Sequence, residues 1–328
     1  MSTHAFVPAL DTAAEAEAKW LIEVLLGLPD CDNFRKLEEI RRGIRAVGIT
    51  PRFRSPILDL TTHWANIMYE VLKEIDQDPG NPYGFTRYTA RFLEVGSNPG
   101  GFTRYILEKT HARGVGITLP TISGGVGRAT LPSDRFELHE LDLLDLVSRY
   151  RLSDPNPPPL PFSRTEFDSI ILDIDSSSPR VLVGQLLLAL ATICNGGQIL
   201  FTLTSIERPL TARILIAVRK IADHISVFKP LQDRMGLLTG KLYLHAEVVR
   251  NDTPAYRKLK DNLRRLWSRI QSTDTCTTMR DPSWNELDLI TPWEEVMKPS
   301  NVDAIVKLGN PLWKAQLTAL SKAVRQID

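Results

Sequence analysis

The chain has 328 residues, and its 40 lysines and arginines against 39 aspartates and glutamates leave a formal net charge of +1. That balance weighs against a protein that grips a long nucleic acid mainly by neutralising phosphates over its whole surface. A hydrophobic content of 43% with 24% charged residues is that of a globular protein and excludes wholesale disorder, and the length allows one large core with appendages or two modest ones.

Residues 1–88 read as helical. The segments DTAAEAEAKWLIEVLLGL, NFRKLEEIRRGIRAVG and LTTHWANIMYEVLKEID carry apolar residues at helical spacing, and PDCDN, ITPRFRSP and DQDPGNPYG separate them with turn residues. The opening stretch MSTHAFVPALDTAAEAEAKW has neither a secretory nor a transit-peptide pattern. Cys31, Cys194 and Cys276 are far apart and form no CxxC pair or zinc-ligand cluster. A reducing compartment, cytoplasmic or nuclear, and no bound metal are the expectations. The apolar runs WLIEVLLGL and VLVGQLLLALATIC are short and interrupted by Glu23 and Gln185, so no membrane span is expected.

Residues 89–250 form a second region, in which strand-like and helix-like segments alternate. RFLEV, GVGIT, RFELHELD, FDSIILDI, GGQILFTLT and LYLHAEVV are short β-rich runs, and FTRYILEKTHA, VLVGQLLLALATICN and ARILIAVRKIADHI are helical between them. This alternation predicts an α/β fold with a mainly parallel sheet covered on both faces. The proline-rich SDPNPPPLPFSRTE reads as an extended surface connection. Residues 251–328 return to helix, in TPAYRKLKDNLRRLWSRIQS and PLWKAQLTALSKAVRQI; the charges of the first read as a solvated face, with nucleic-acid contact as the alternative.

RFLEVGSNPGGFTRYILEK is the most informative stretch. A strand ends at Val95, a glycine-rich turn follows, and an amphipathic helix begins near Phe102. In open α/β sheets, ligands sit beyond the carboxyl ends of strands at such turns. Gly96, Gly100 and Gly101 would let the backbone turn tightly and approach a ligand, whose anionic or polar end would meet the first N–H groups of the helix. The alternative is a purely structural strand-to-helix turn. The loop is neither G-x-G-x-x-G nor a P-loop, which argues against a nicotinamide or nucleoside triphosphate site.

The GSNPGGF of residues 96–102 resembles the G-x-x-P-G-G-F/W loop of the FtsJ-type methyltransferases, best known as RNA 2′-O-methyltransferases. VGITL, HELD, FDSIILD and NGGQILF, ending at Leu119, Asp142, Asp173 and Phe201, are similar to that family's second to fifth strand segments in the same order. The resemblance covers roughly residues 90–250 and is carried by the set. It implies a Rossmann-like methyltransferase fold and S-adenosylmethionine as cofactor; the helical N- and C-terminal extensions lie outside it. It implies that Gly96, Ser97, Pro99, Gly100, Gly101 and Phe102 hold the methionine end, that Glu94 anchors the loop or reaches the ammonium through water, and that Asp142 accepts a hydrogen bond from the adenine amino group; a plain helix-capping acid is the competing reading of Asp142.

The family's Lys–Asp–Lys–Glu set around a ribose hydroxyl is matched only in part. Asp173 stands for its aspartate, and Lys73 is the better-spaced choice for the first lysine, with Lys36 as the alternative. Thr202 occupies the place of the later lysine and Lys241 that of the glutamate. The resemblance thus implies an S-adenosylmethionine-dependent methyltransferase; with the set incomplete, its acceptor would be RNA or a small molecule, and Asp173, Asp175, His63 and His245 are the candidate bases. The alternative is a catalytically silent relative that binds RNA or a protein, for which Arg41, Arg42, Arg45, Arg52 and Arg54 would supply a basic patch.

Overall fold

The computed structural model describes residues 12–47, 60–79, 84–123, 125, 133–162, 166–174, 178–271 and 279–325. In chain order the elements are α1 (Thr12–Gly27), α2 (Asp32–Val47), α3 (Leu60–Asp76), β1 (Arg91–Val95), α4 (Gly101–Lys109), β2 (Arg113–Thr118), β3 (Phe136–Glu140), α5 (Leu143–Arg149) and β4 (Phe167–Leu172). They continue with α6 (Pro179–Thr192), β5 (Ile193–Leu203), α7 (Pro209–Arg219), β6 (Ala222–Phe228), α8 (Arg234–Thr239), β7 (Leu242–Val249), α9 (Pro254–Gln271), α10 (Trp293–Val296) and α11 (Pro299–Val324).

The seven strands form one sheet in the order β3-β2-β1-β4-β5-β7-β6. The first five are mutually parallel, and β7 runs antiparallel to both β5 and β6. This is the Rossmann-like, mainly parallel sheet that the alternation of segments predicts. One strand differs from expectation. ARILIAVRKIADHI reads as a single helix, but α7 stops at Arg219 and ADHISVF becomes the edge strand β6. There, pairing with β7 from Ala222↔Val249 to Phe228↔Tyr243 outweighs local helical periodicity.

Strand side chains alternate between faces, and the two faces build separate cores. Leu93, Val95, Ile170, Leu172, Ile199, Phe201, Leu242 and Leu244 face the larger core, shared with α1, α2, α5, α6, α7, α9 and α11. Phe92, Ile171, Leu200 and Tyr243 face the smaller one, against Met68, Val71, Leu72 and Ile75 of α3 and Phe102, Tyr105 and Ile106 of α4. Residues of both helical extensions therefore join the larger core. The stripe Tyr256, Leu259, Leu263, Leu266, Trp267 and Ile270 buries one side of α9 and leaves its charges outward, the solvated-face reading of that helix. Burying each such leucine contributes about 1.5–3 kcal/mol.

A buried ion cluster ties α2 and α11 to the segment after β5. Arg41 Nη1 lies 2.7 Å from both Glu38 Oε1 and Glu207 Oε1, and Arg41 Nη2 donates to Gln316 Oε1 at 3.0 Å. Trp313 Nε1 donates to the other Glu207 oxygen at 3.0 Å. Arg45 pairs with Glu38 and Arg42 bonds its backbone oxygen. Arg41 is thus not a free cation for RNA, which corrects the patch reading at that residue; Arg52 and Arg54 lie outside the described residues.

Gly101 opens α4 where it crosses α3. A Cβ there would sit 2.2 Å from the backbone oxygen of Ala65 and 2.6 Å from Met68 Cβ, so only hydrogen fits. Gly101→Ala is expected to lower stability by about 1–3 kcal/mol. The check is a urea midpoint that falls while the slope is unchanged.

Candidate functional site

The parallel strands wind outward from β1 in two directions, β2 and β3 to one side and β4 and β5 to the other. The crevice between β1 and β4 is therefore the point where connections diverge, and ligands of open α/β sheets bind outside the carboxyl ends of the strands at such a point. The glycine loop leaves β1 there. Its first two N–H groups, on Gly96 and Ser97, both donate to Ile117 O of β2, at 2.9 and 3.0 Å. Asp173 N donates to Val95 O at 2.9 Å, carrying β4's pairing with β1 one residue beyond its end.

Gly96 has φ +91°, and a Cβ on it would come within 2.9 Å of the Asp173 carbonyl carbon and oxygen. A side chain would be strained by the first condition and shut out by the second. Gly100 has φ +86° and stands as the N-cap of α4, its carbonyl accepting from Arg104 N at 3.0 Å. The loop's other residues are largely sequestered: Ser97 is buried, and Phe102 is buried in the smaller core with its ring edge-on to Tyr243 at 6.3 Å between centroids. Gly101 and Phe102 thus serve packing of α4.

Beneath the loop lies Glu94, fully buried on the α3–α4 face. The Thr103 hydroxyl of α4 donates to Glu94 Oε2, while Oε1 has no hydrogen-bond partner. Loss of solvation pushes the Glu94 carboxyl up from its ordinary 4.5 to about 8; the Thr103 bond opposes the rise and the charge of Asp173 adds to it.

Asp173, just past β4, gathers the groups of the fifth and seventh strands. The Thr202 hydroxyl donates to Asp173 Oδ1, and Lys241 Nζ stands 3.6 Å from the same oxygen and 3.7 Å from Asp233 Oδ2. The antiparallel start of β7 brings Lys241 to the carboxyl edge, where its ammonium also lies 5.0 Å from the Tyr243 ring centroid. Burial works against this ammonium, but Asp173, Tyr243 and Asp233 outweigh it and hold its pKa above the ordinary lysine value. It is a fixed cation with no lone pair to offer as a base.

Three members of this cluster were not legible as site residues. Asp233 caps α8 by accepting from Gly236 N at 2.7 Å while pairing with Lys241; in sequence it is only an acid before a short helix. Tyr243 lies under Lys241. Lys229, one residue past β6, donates to Lys241 O at 2.9 Å, and burial pulls its pKa down to about 8 against the opposing charges of Glu207 and Asp233.

Other expected residues lie elsewhere. Lys73 does not join Asp173 by any described contact but pairs with Glu70 on its own helix at 3.0 Å, half-exposed. Lys36 pairs with Asp32 in the same manner. Asp142 caps α5, its Oδ1 accepting from Leu144 N at 2.7 Å and Asp145 N at 3.3 Å, so the capping role is realised at the carboxyl end of β3. His245 is fully buried between Gln198 Oε1 (2.8 Å) and Glu247 Oε1 (3.2 Å), a part of the interior, and His63 lies on α3 with its ring 6.1 Å from that of Trp64. Asp175 falls outside the described residues. Among the described residues no group of acids, histidines and cysteines is arranged to hold a metal, and no helix is long and apolar enough to cross a membrane.

No protein-family model and no curated protein matches the chain. Among solved structures it is similar to human methyltransferase-like protein 13 in complex with SAH, at 14% identity over 67% of this chain and 98% of that one, with a TM-score of 0.36. It is similar to N-methyltransferase NodS from Bradyrhizobium japonicum in complex with S-adenosyl-L-homocysteine, at 14% identity over 65% and 98% of the two chains and a TM-score of 0.36. An rRNA methylase from Streptococcus thermophilus matches at 11% identity over 59% and 99%, with a TM-score of 0.35. At these values none of them lends its ligand or activity to this chain.

Glu94 generates a pH signature. Its folded pKa, about 8, lies above the 4.5 of an unperturbed glutamate, so its contribution to stability is fully present below pH 4.5 and is lost as pH rises through 8. The difference in unfolding free energy between wild type and Glu94→Gln, followed by urea denaturation, is expected to shift against the wild type over that window and level off above it.

Proposed function

We propose that the protein binds S-adenosylmethionine in the crevice between β1 and β4 and transfers its methyl group to an acceptor placed beside Asp173. The observation that carries this reading is the convergence at one point of the glycine loop, the sheet's switch point and a buried carboxylate with an unpartnered oxygen, Glu94 Oε1. The residues fit the cofactor's chemistry. Glu94 and Asp173 are a pair of carboxyl groups that suits an ammonium and a sulfonium, and Gly96 and Gly100 keep side chains off the loop's backbone. In this reading the methionine end lies along Gly96, Ser97, Pro99 and Gly100, with Gly101 and Phe102 holding α4 in place, and Asp142 takes the adenine amino group through Oδ2. When bound, S-adenosylmethionine supplies the electrophilic methyl group.

The protein's own part is positioning and exclusion of water. Asp173, held by the Thr202 hydroxyl and the Lys241 ammonium, accepts a hydrogen bond from the acceptor and orients it. Lys241 cannot deprotonate a ribose hydroxyl, and Lys73 stands half-exposed beside Glu70 with no described contact to Asp173, so the lysine-assisted 2′-O reaction of the FtsJ-type enzymes is not the reaction we assign. The acceptor we assign brings its own lone pair, as an amine does. Where a proton must be removed, Lys229, which donates to Lys241 O at 2.9 Å and whose pKa burial pulls down to about 8, is the lysine we assign.

Calorimetric titration with S-adenosylmethionine, S-adenosylhomocysteine and NAD tests the reading. Micromolar binding of the two sulfur compounds and none of NAD is expected. In a transfer assay over RNA and small amine acceptors, Asp173→Ala should reduce turnover at least tenfold more than it weakens cofactor binding. Binding without transfer to any acceptor would favour the silent relative, for which the Thr202 and Lys241 replacements speak. Absence of binding would leave the loop a structural turn.

A further inference from the structure

A second feature lies one helix away from this cluster. An open groove of about 620 Å³ runs between α8 and α11. Its floor on the α11 side is Pro311, Ala315, Ala319 and Ala323, spaced by four and so aligned on one helix face. Leu237 and Leu238 close the α8 side, and Leu231, 65% exposed, also lines the groove. The charged residues in the lining are all basic: Arg234, Lys314 and Lys322. None of these three forms an ion pair with a carboxylate among the described residues. The nearby acid Glu74 is engaged through both oxygens by the Leu231 N–H, at 3.1 and 3.0 Å.

We propose that this groove docks an acidic amphipathic helix of a partner protein. The small-residue row from Pro311 to Ala323 is about 18 Å long, some three turns of helix, and its short side chains let a second helix approach to the 8–10 Å of ordinary helix packing. The apolar floor accepts side chains at i, i+3, i+4 and i+7 of the incoming helix. Lys314 and Lys322 are two turns apart, about 12 Å, and meet acids at the matching spacing. A rim of one sign selects acidic helices and rejects basic ones. The trough is open along its length, whereas a small molecule is held by a site that encloses most of its surface.

The groove is wired to the catalytic edge. Its α8 wall is capped by Asp233, which pairs with Lys241 beside Asp173, and Gln316 of α11 donates to Leu238 O at 3.1 Å. A docked helix would fix α8 and through it the Asp233–Lys241–Asp173 arrangement. The docking itself does not depend on the cofactor assignment.

The test is selection on the full-length protein from a display library of 18-residue peptides with leucines at i, i+3, i+4 and i+7 and glutamate or lysine randomised at the flanking positions. Glutamate-rich helices should be enriched and bind at micromolar concentration. Ala319→Trp, which fills the groove, and the exposed double variant Lys314→Glu/Lys322→Glu should each lower their affinity at least tenfold, with urea midpoints showing that both variants are folded. The proposal fails if no helix is enriched, if lysine-rich helices win, or if the enriched helices bind Ala319→Trp as tightly as wild type. Binding of sodium decanoate in the groove without enrichment of any helix would assign it to small amphipathic anions and likewise overturn the proposal.

Discussion

The constraint on which the site depends is the approach of two backbones at the carboxyl edge of the sheet, where Gly96 meets Asp173 with no room for a Cβ. The positive φ of Gly96 turns the chain out of β1 and across the end of β4. From this contact follow the start of α4, the burial of Glu94 beneath it and the position of Asp173 against Thr202 and Lys241. A side chain at residue 96 would force β1 and β4 apart and undo all of these together.

Around that point the period of the strands decides which groups meet. Glu94, Thr202 and Tyr243 lie on the same face as α3 and α4, and the start of β7 adds Lys241 on that side. The other face is apolar along the central strands and carries α1 and α2 of the N-terminal region together with the C-terminal extension. The cluster Glu38–Arg41–Glu207–Gln316 then fastens α2 and α11 to the segment after β5. Loss of one partner in such a buried network leaves a charge uncompensated, which is why these arginine and glutamate side chains belong to the architecture and not to a nucleic-acid surface.

Much of this is legible in the sequence because it is local. The alternation of strands and helices, the glycine loop after RFLEV and the three N-terminal helices each depend on neighbours in the chain. What is not legible depends on contacts distant in sequence. The residues ADHISVF continue the apolar spacing of α7 without a glycine or proline to break it, and only pairing with β7 makes them a strand. Arg41 reads as one of several exposed basic residues, yet its partner Glu207 is 166 positions away. Gly101 reads as a ligand-facing glycine, and the backbone of α3 is what claims it. Lys241 stands where the pattern that the sequence resembles has a glutamate, and only the fold shows that Asp233 and Asp173 flank it and keep it charged.

Amide hydrogen exchange with and without saturating S-adenosylhomocysteine tests the proposed cofactor site in the β1–β4 crevice residue by residue. A cofactor bound there slows exchange only at the Gly96–Thr103 turn, at Asp173–Ile174 and at the end of β3 near Asp142. Slowed exchange located instead along α8 and α11, or no change at the Gly96–Thr103 turn, would contradict it.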